Sequence, residues 1–196
     1  MRFRLLSAAL AAGALSAALP ATAPAQSGVV SAMSCLAQTD AAGIDAMLER
    51  AGSPLAGEGA TFVAEGTAAG LDPRALVAIA AHETILATYV PSQAIHNPFG
   101  LGPGIAFASD AQAIARAART LGDYYLAEGR TTLSSIGAKW APIGVANDPT
   151  NLNANWTAGV GAYYAALGGD PGRPVLTTAQ DGTPACLGAP ALFPPA

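Results

Sequence analysis

Glu83 is the residue of this chain best suited to acid–base chemistry. It sits in "LVAIAAHETILATYV", residues 76–90, a stretch with the composition of a buried helix. Leu76, Ile79 and Ala80 precede it at helical spacing, so all four share one face. The apolar three must face the core, which leaves the carboxyl at the core's edge, near the helix end. Burial disfavours an ionised carboxylate, and a helix C-terminus disfavours negative charge. Both effects favour a protonated acid near neutral pH, the state needed to protonate a glycosidic oxygen. The plainer alternative is a surface glutamate, or one paired with Arg116 or Arg119.

Other chemistries find less support. His82-Glu83 begins like a zinc-protease motif, but Leu86 stands where the second histidine would be. No metal or other cofactor is implied. There is no G-x-S-x-G, and two histidines are too few to favour a serine triad. "DPTNLNAN" lacks the glycine and closing glutamate of a calcium loop and suits turns and helix caps. The "NWT" at Asn155 matches a glycosylation pattern by chance.

The elements that must position Glu83 are helical. One helix starts near Asp40 and stops at Gly52-Ser53-Pro54; a second ends at Gly70. Asp72 as N-cap and Pro73 as first helical residue start the third, which is expected to run to Pro91. "PSQAIHNPFGLGPGIAFAS" reads as an irregular loop. Ser109 or Asp110 then caps an amphipathic helix. Its apolar stripe is Ile114, Ala118, Leu121 and Tyr125, with Arg116, Arg119 and Asp123 off it. A short helix capped by Thr131 or Thr132, a polar loop, and a last helix ending at Gly168-Gly169 complete the domain. No period-2 strand appears, so the class is all-α, with no internal repeat.

The ends read differently. Residues 1–25 have a basic start, an apolar run and a small-x-small ending, the pattern of a secretory signal peptide cleaved after Ala25 or Ala23. The run is shorter than the ~20 residues of a membrane span; an uncleaved anchor is the alternative. Residues 26–39 form a linker, 40–169 the domain and 170–196 a Pro-rich tail. Cleavage takes Lys plus Arg from 9 to 7 and leaves Asp plus Glu at 13, so the formal net charge moves from −4 to −6. Lys139 is the only lysine and the arginines are scattered. That excludes the basic stripe of a nucleic-acid binder and makes an anionic membrane a poor partner. Cys35 and Cys186 form an isolated pair near the ends of the mature chain. In an oxidising compartment they are expected to form a disulfide, contributing on the order of 4–5 kcal/mol. A reactive thiol is the weaker alternative.

"SPLAGEGATFVAEGTAAGLDPRALVAIAAHET", "AIHNPFGLGPG", "FASDAQAIARAARTLGDYY" and "WAPIGVANDPTNLNANW" resemble the glucosaminidase family of peptidoglycan hydrolases. This is the mannosyl-glycoprotein endo-β-N-acetylglucosaminidase-like domain of the lysozyme-like superfamily. The resemblance spans about residues 43–168. It implies a lysozyme-like helical domain with a reduced or missing β-lobe. The implied protein is a secreted, monomeric enzyme that cleaves the β-1,4 bond after N-acetylglucosamine in cell-wall glycan strands. Glu83 falls on the family's catalytic acid, and Asn97, Phe99 and Gly100 on its N-x-F-G loop beside the cleft. Trp156 stands where the family has a late aromatic residue, with Tyr163 and Tyr164 close behind. Aromatic faces suit sugar rings, though core packing is the competing role for the tyrosines.

Two departures stand out. Ala87, in "ETILAT", occupies a position where the family commonly has glycine. A second carboxylate is also missing from the loop after N-x-F-G. Asp110, itself a candidate helix cap, and Asp148 are the rivals for that role, unless the substrate's acetamido group takes it. A lytic transglycosylase on the same scaffold and a non-catalytic glycan-binding module are the alternatives to hydrolysis.

Overall fold

The structure, a computed structural model, describes residues 40–176. The signal peptide, the linker, Cys35, Cys186 and residues 177–196 of the tail lie outside the described residues.

The N-cap signals in the sequence act as expected. The Asp40 carboxylate accepts from the Gly43 amide at 2.7 Å and starts α1 (Ala41–Arg50). α2 spans Gly59–Ala68. Asp72 caps α3 (Pro73–Thr84) by accepting from the Arg74 amide at 2.9 Å, with Pro73 at the first helical position. α4 is a single turn, Val90–Gln93. Ser109, not Asp110, caps α5 (Asp110–Tyr124). Thr132 and Ser135 form a reciprocal capping box at the start of α6 (Leu133–Trp140). α7 runs Trp156–Ala166. The described residues are all-α: their only β pairing is an isolated antiparallel bridge between Leu71 and Leu176.

α3 is the central element. Nine of its twelve residues are buried, and α2, α5 and α7 pack around it. Its main partner is α7, which runs antiparallel to it. Trp156 at the start of α7 meets Glu83 at the end of α3, while Tyr164 near the end of α7 meets Asp72 at the start of α3. At that far end the Tyr164 hydroxyl donates to Asp72 Oδ2 at 2.8 Å, and the Arg74 guanidinium pairs with the same carboxylate at 2.7 Å. The α5 stripe is as expected: Ile114, Ala118 and Leu121 are fully buried and Tyr125 nearly so.

Two boundaries differ from the sequence expectation. α3 does not continue to Pro91. It stops at Thr84, because Ile85, Leu86 and Ala87 all take the left-handed conformation, with φ of 53°, 56° and 61°. Three consecutive non-glycine residues there are costly, and the neighbours hold the turn in place. Ser53 Oγ donates to the Leu86 carbonyl at 2.7 Å, and Thr84 Oγ1 accepts from the Ala87 amide at 3.0 Å. The same Thr84 hydroxyl donates to the Pro98 carbonyl at 2.8 Å. Leu86 is fully buried.

The tail boundary at residue 170 also shifts. Gly168-Gly169 ends α7, but the chain then folds back. The Asp72 amide donates to the Val175 carbonyl at 3.0 Å, and the Val175 amide donates to the Thr131 carbonyl at 2.8 Å. Val175 is fully buried, so residues 170–176 belong to the folded domain.

Candidate active site

Glu83 is the penultimate residue of α3, and the left-handed turn begins two residues later. Its carboxyl is largely buried. Oε1 accepts two hydrogen bonds, one from Trp156 Nε1 at 2.7 Å and one from Trp140 Nε1 at 2.8 Å. These are the chain's two tryptophans. The alternative, a pairing with Arg116 or Arg119, is not found among the described residues.

The folding of three helix ends brings these groups together. Trp140 is the last residue of α6 and Trp156 the first of α7. The loop between them is tied back on itself by Asp148, whose Oδ1 and Oδ2 accept from the Leu152 and Asn153 amides, each at 2.9 Å. Asn153 Nδ2 in turn donates to the Pro142 carbonyl at 2.9 Å. The two indole rings end up 6.3 Å apart between centroids. Tyr125, just past α5, packs against Trp140 at 6.0 Å. Close backbone approach is needed twice. A Cβ at Gly137 would lie 2.7 Å from the Trp156 ring, and one at Gly159 would lie 2.4 Å from the His82 ring.

The electrostatics are set mainly by burial. Desolvation pushes the Glu83 pKa up, and the Trp156 and Trp140 hydrogen bonds hold it down in part. Desolvation pushes the His82 pKa down, so the imidazole beside Glu83 is neutral at neutral pH. It meets Trp156 edge-on at 6.3 Å and serves as packing.

Indole nitrogen donates and cannot accept. With both lone-pair directions of Oε1 taken by N–H donors, the proton of the neutral acid resides on Oε2. That oxygen faces Gly100: a Cβ built there would be 3.6 Å from it. Glu83 is therefore an oriented acid with one oxygen anchored and the other presented to the "NPFG" loop.

The remaining sequence candidates have other positions. Gly100 lies beside Glu83 with φ of 60°. Asn97 is 3% exposed, and its amide is spent inside the loop: Nδ2 donates to the Leu101 and Ile105 carbonyls, and Oδ1 accepts from the Leu101 amide. Phe99 is fully buried in the core. These two residues shape the loop from within. Tyr163 and Tyr164 are buried and serve as packing rather than as open sugar platforms; burial pushes the Tyr163 hydroxyl up to about 12. Asp110 faces His96, with Oδ1 3.3 Å from Nδ1. Asp148 braces the loop described above.

Sequence reading missed Trp140 and Thr84. Trp140 carried a usable signal, as one of two tryptophans in a chain with few large aromatics. Thr84 carried none, since its role depends on a turn that the pattern did not reveal. Among the described residues no group of three or more His, Cys, Asp or Glu side chains could hold a metal ion, and no helix is long and apolar enough to cross a membrane. No protein-family model matches this chain, and no curated protein matches it.

Proposed function

We propose that this protein is a secreted glycosidase of lysozyme-like architecture that cleaves the β-1,4 bond after N-acetylglucosamine in peptidoglycan, with Glu83 as general acid. The observation that carries this reading is the Glu83 carboxyl: desolvated, anchored at Oε1 by two indole donors, and free to deliver a proton from Oε2. A raised pKa enlarges the protonated fraction at any given pH, which favours leaving-group protonation. The motif resemblance supplies the substrate class. Ala87 fits this reading too, because it adopts the left-handed conformation that a glycine at that position would take without strain.

Asp110 and Asp148 are both engaged elsewhere, so the mechanism rests on one side-chain acid. Oε2 protonates the glycosidic oxygen as the bond to the anomeric carbon breaks. The substrate's acetamido oxygen attacks the anomeric carbon, and water then opens the cyclic intermediate. A single acid equally suits intramolecular attack by a sugar hydroxyl, which would give a lytic transglycosylase and anhydro-sugar ends.

The test is digestion of purified cell walls, with the new ends identified by mass spectrometry. The expected products carry reducing N-acetylglucosamine, and Glu83→Gln is expected to lower kcat by about 10²–10⁴. Anhydro ends would establish the transglycosylase. Wall binding without any product, unchanged in Glu83→Gln, would establish a glycan-binding module instead.

A further inference from the structure

A groove of about 610 Å³ lies between the "NPFG" loop and α5. One wall is the loop itself, through Leu101, Gly102 and Ile105; the other is α5, through Gln112, Arg116 and Arg119. Those three α5 residues recur at helical spacing, so they share one face. The loop wall is braced from inside by Asn97, which bonds both Leu101 and Ile105. Gly100, next to Leu101, abuts the Glu83 carboxyl, so the loop that walls this groove also flanks the acid.

Arg116 and Arg119 form a like-charged pair. They stand three residues apart on one face, where like charges repel. Both are exposed, and neither has a hydrogen-bond or ion-pair partner among the described residues. In a protein with more acids than bases, two cations left unpaired in a concavity suit an anionic ligand from outside the chain. The planar guanidinium fork matches a carboxylate in bidentate fashion.

We propose that this groove is a substrate subsite in which Arg116 and Arg119 bind the free carboxylates of a peptide stem carried by the glycan, beside the sugar held at Glu83. The inference rests on the glycosidase reading. It adds that the enzyme prefers stem-bearing strands to bare glycan. Ile105, 48% exposed, offers an apolar surface to the stem's side chains.

The experiment compares wild type, Arg116→Gln/Arg119→Gln and the surface control Arg50→Gln. Each is assayed on stem-bearing glycan, on the same strands with stem carboxylates amidated, and on strands stripped of stems. The expected result for the double variant is a KM raised roughly tenfold on native stems, equivalent to about 1.4 kcal/mol, with kcat unchanged. Amidated and stripped strands should be handled alike by all three proteins, and added salt should raise KM only for native stems. Equal kinetics of wild type and double variant on native stems overturns the subsite. So does an equal loss on stripped strands, or undiminished use of amidated stems by wild type.

If none of the substrates is cleaved, the glycosidase reading falls separately, and calorimetry with soluble stem-bearing fragments decides the subsite. Binding lost in the double variant supports it, and equal binding by both proteins overturns it.

Discussion

At the residue scale, the central fact is that one carboxyl oxygen takes both indole donors. Glu83 has a folded-state pKa above its ordinary value near 4.5. The folded protein therefore holds this proton more tightly than the unfolded chain, and its contribution to stability falls as pH rises from 4.5 through the raised value. Glu83→Gln keeps an oxygen for the indoles and removes the charge. It should be more stable than wild type at pH 7, with the difference closing below pH 4.5, as chemical denaturation at several pH values would reveal. Trp140→Phe removes one of the donors that hold the pKa down. The alkaline limb of its pH–rate profile should move to higher pH. A downward shift would show that the indole bond does not stabilise the ionised form.

At the element scale, the abrupt end of α3 matters most. The left-handed turn diverts the chain directly after the acid, and Thr84 ties the helix end to the "NPFG" loop. Ala81 and Ala87 give a controlled comparison, since both are buried on either side of that turn. Ala81→Gly loses a methyl group, about 0.8 kcal/mol, and about 1 kcal/mol of helix propensity. It should cost about 2 kcal/mol. Ala87→Gly loses the same methyl but relieves roughly 1–2 kcal/mol of left-handed strain. It should match wild type or exceed it by up to about 1 kcal/mol in urea unfolding. A loss of about 0.8 kcal/mol, the methyl alone, would show that Ala87 stores no strain.

At the scale of the whole molecule, the two ends of α3 have separate duties. The Asp72–Arg74–Tyr164 cluster fixes its start, and Glu83 with the two tryptophans occupies its end. The segment after α7 closes the structure over the first of these. Val175 links Asp72 to Thr131 through the backbone and buries its side chain. Val175→Ala should cost about 2 kcal/mol without changing the Glu83 pH profile, because its neighbours belong to the start of α3. A shifted profile would mean that the two ends are coupled.

How much was legible in the sequence depended on the range of the interactions. The N-caps at Asp40, Asp72 and Thr132, the α5 stripe and the placement of Glu83 at a core edge follow from local backbone chemistry and a 3.6-residue period. These act within one turn of helix, so neighbouring residues determine them. The end of α3 was not legible: Ile85, Leu86 and Ala87 have no intrinsic preference for positive φ, and the turn persists only because Ser53 and the buried Leu86 side chain oppose its strain. Nor could spacing reveal that Asn97, Tyr163 and Tyr164 turn inward. Trp140 and Trp156 lie 57 and 73 residues from Glu83. Local sequence rules placed the acid on its helix, but only the packing of α6 and α7 against α3 could bring two distant indoles to one oxygen and decide which oxygen carries the proton.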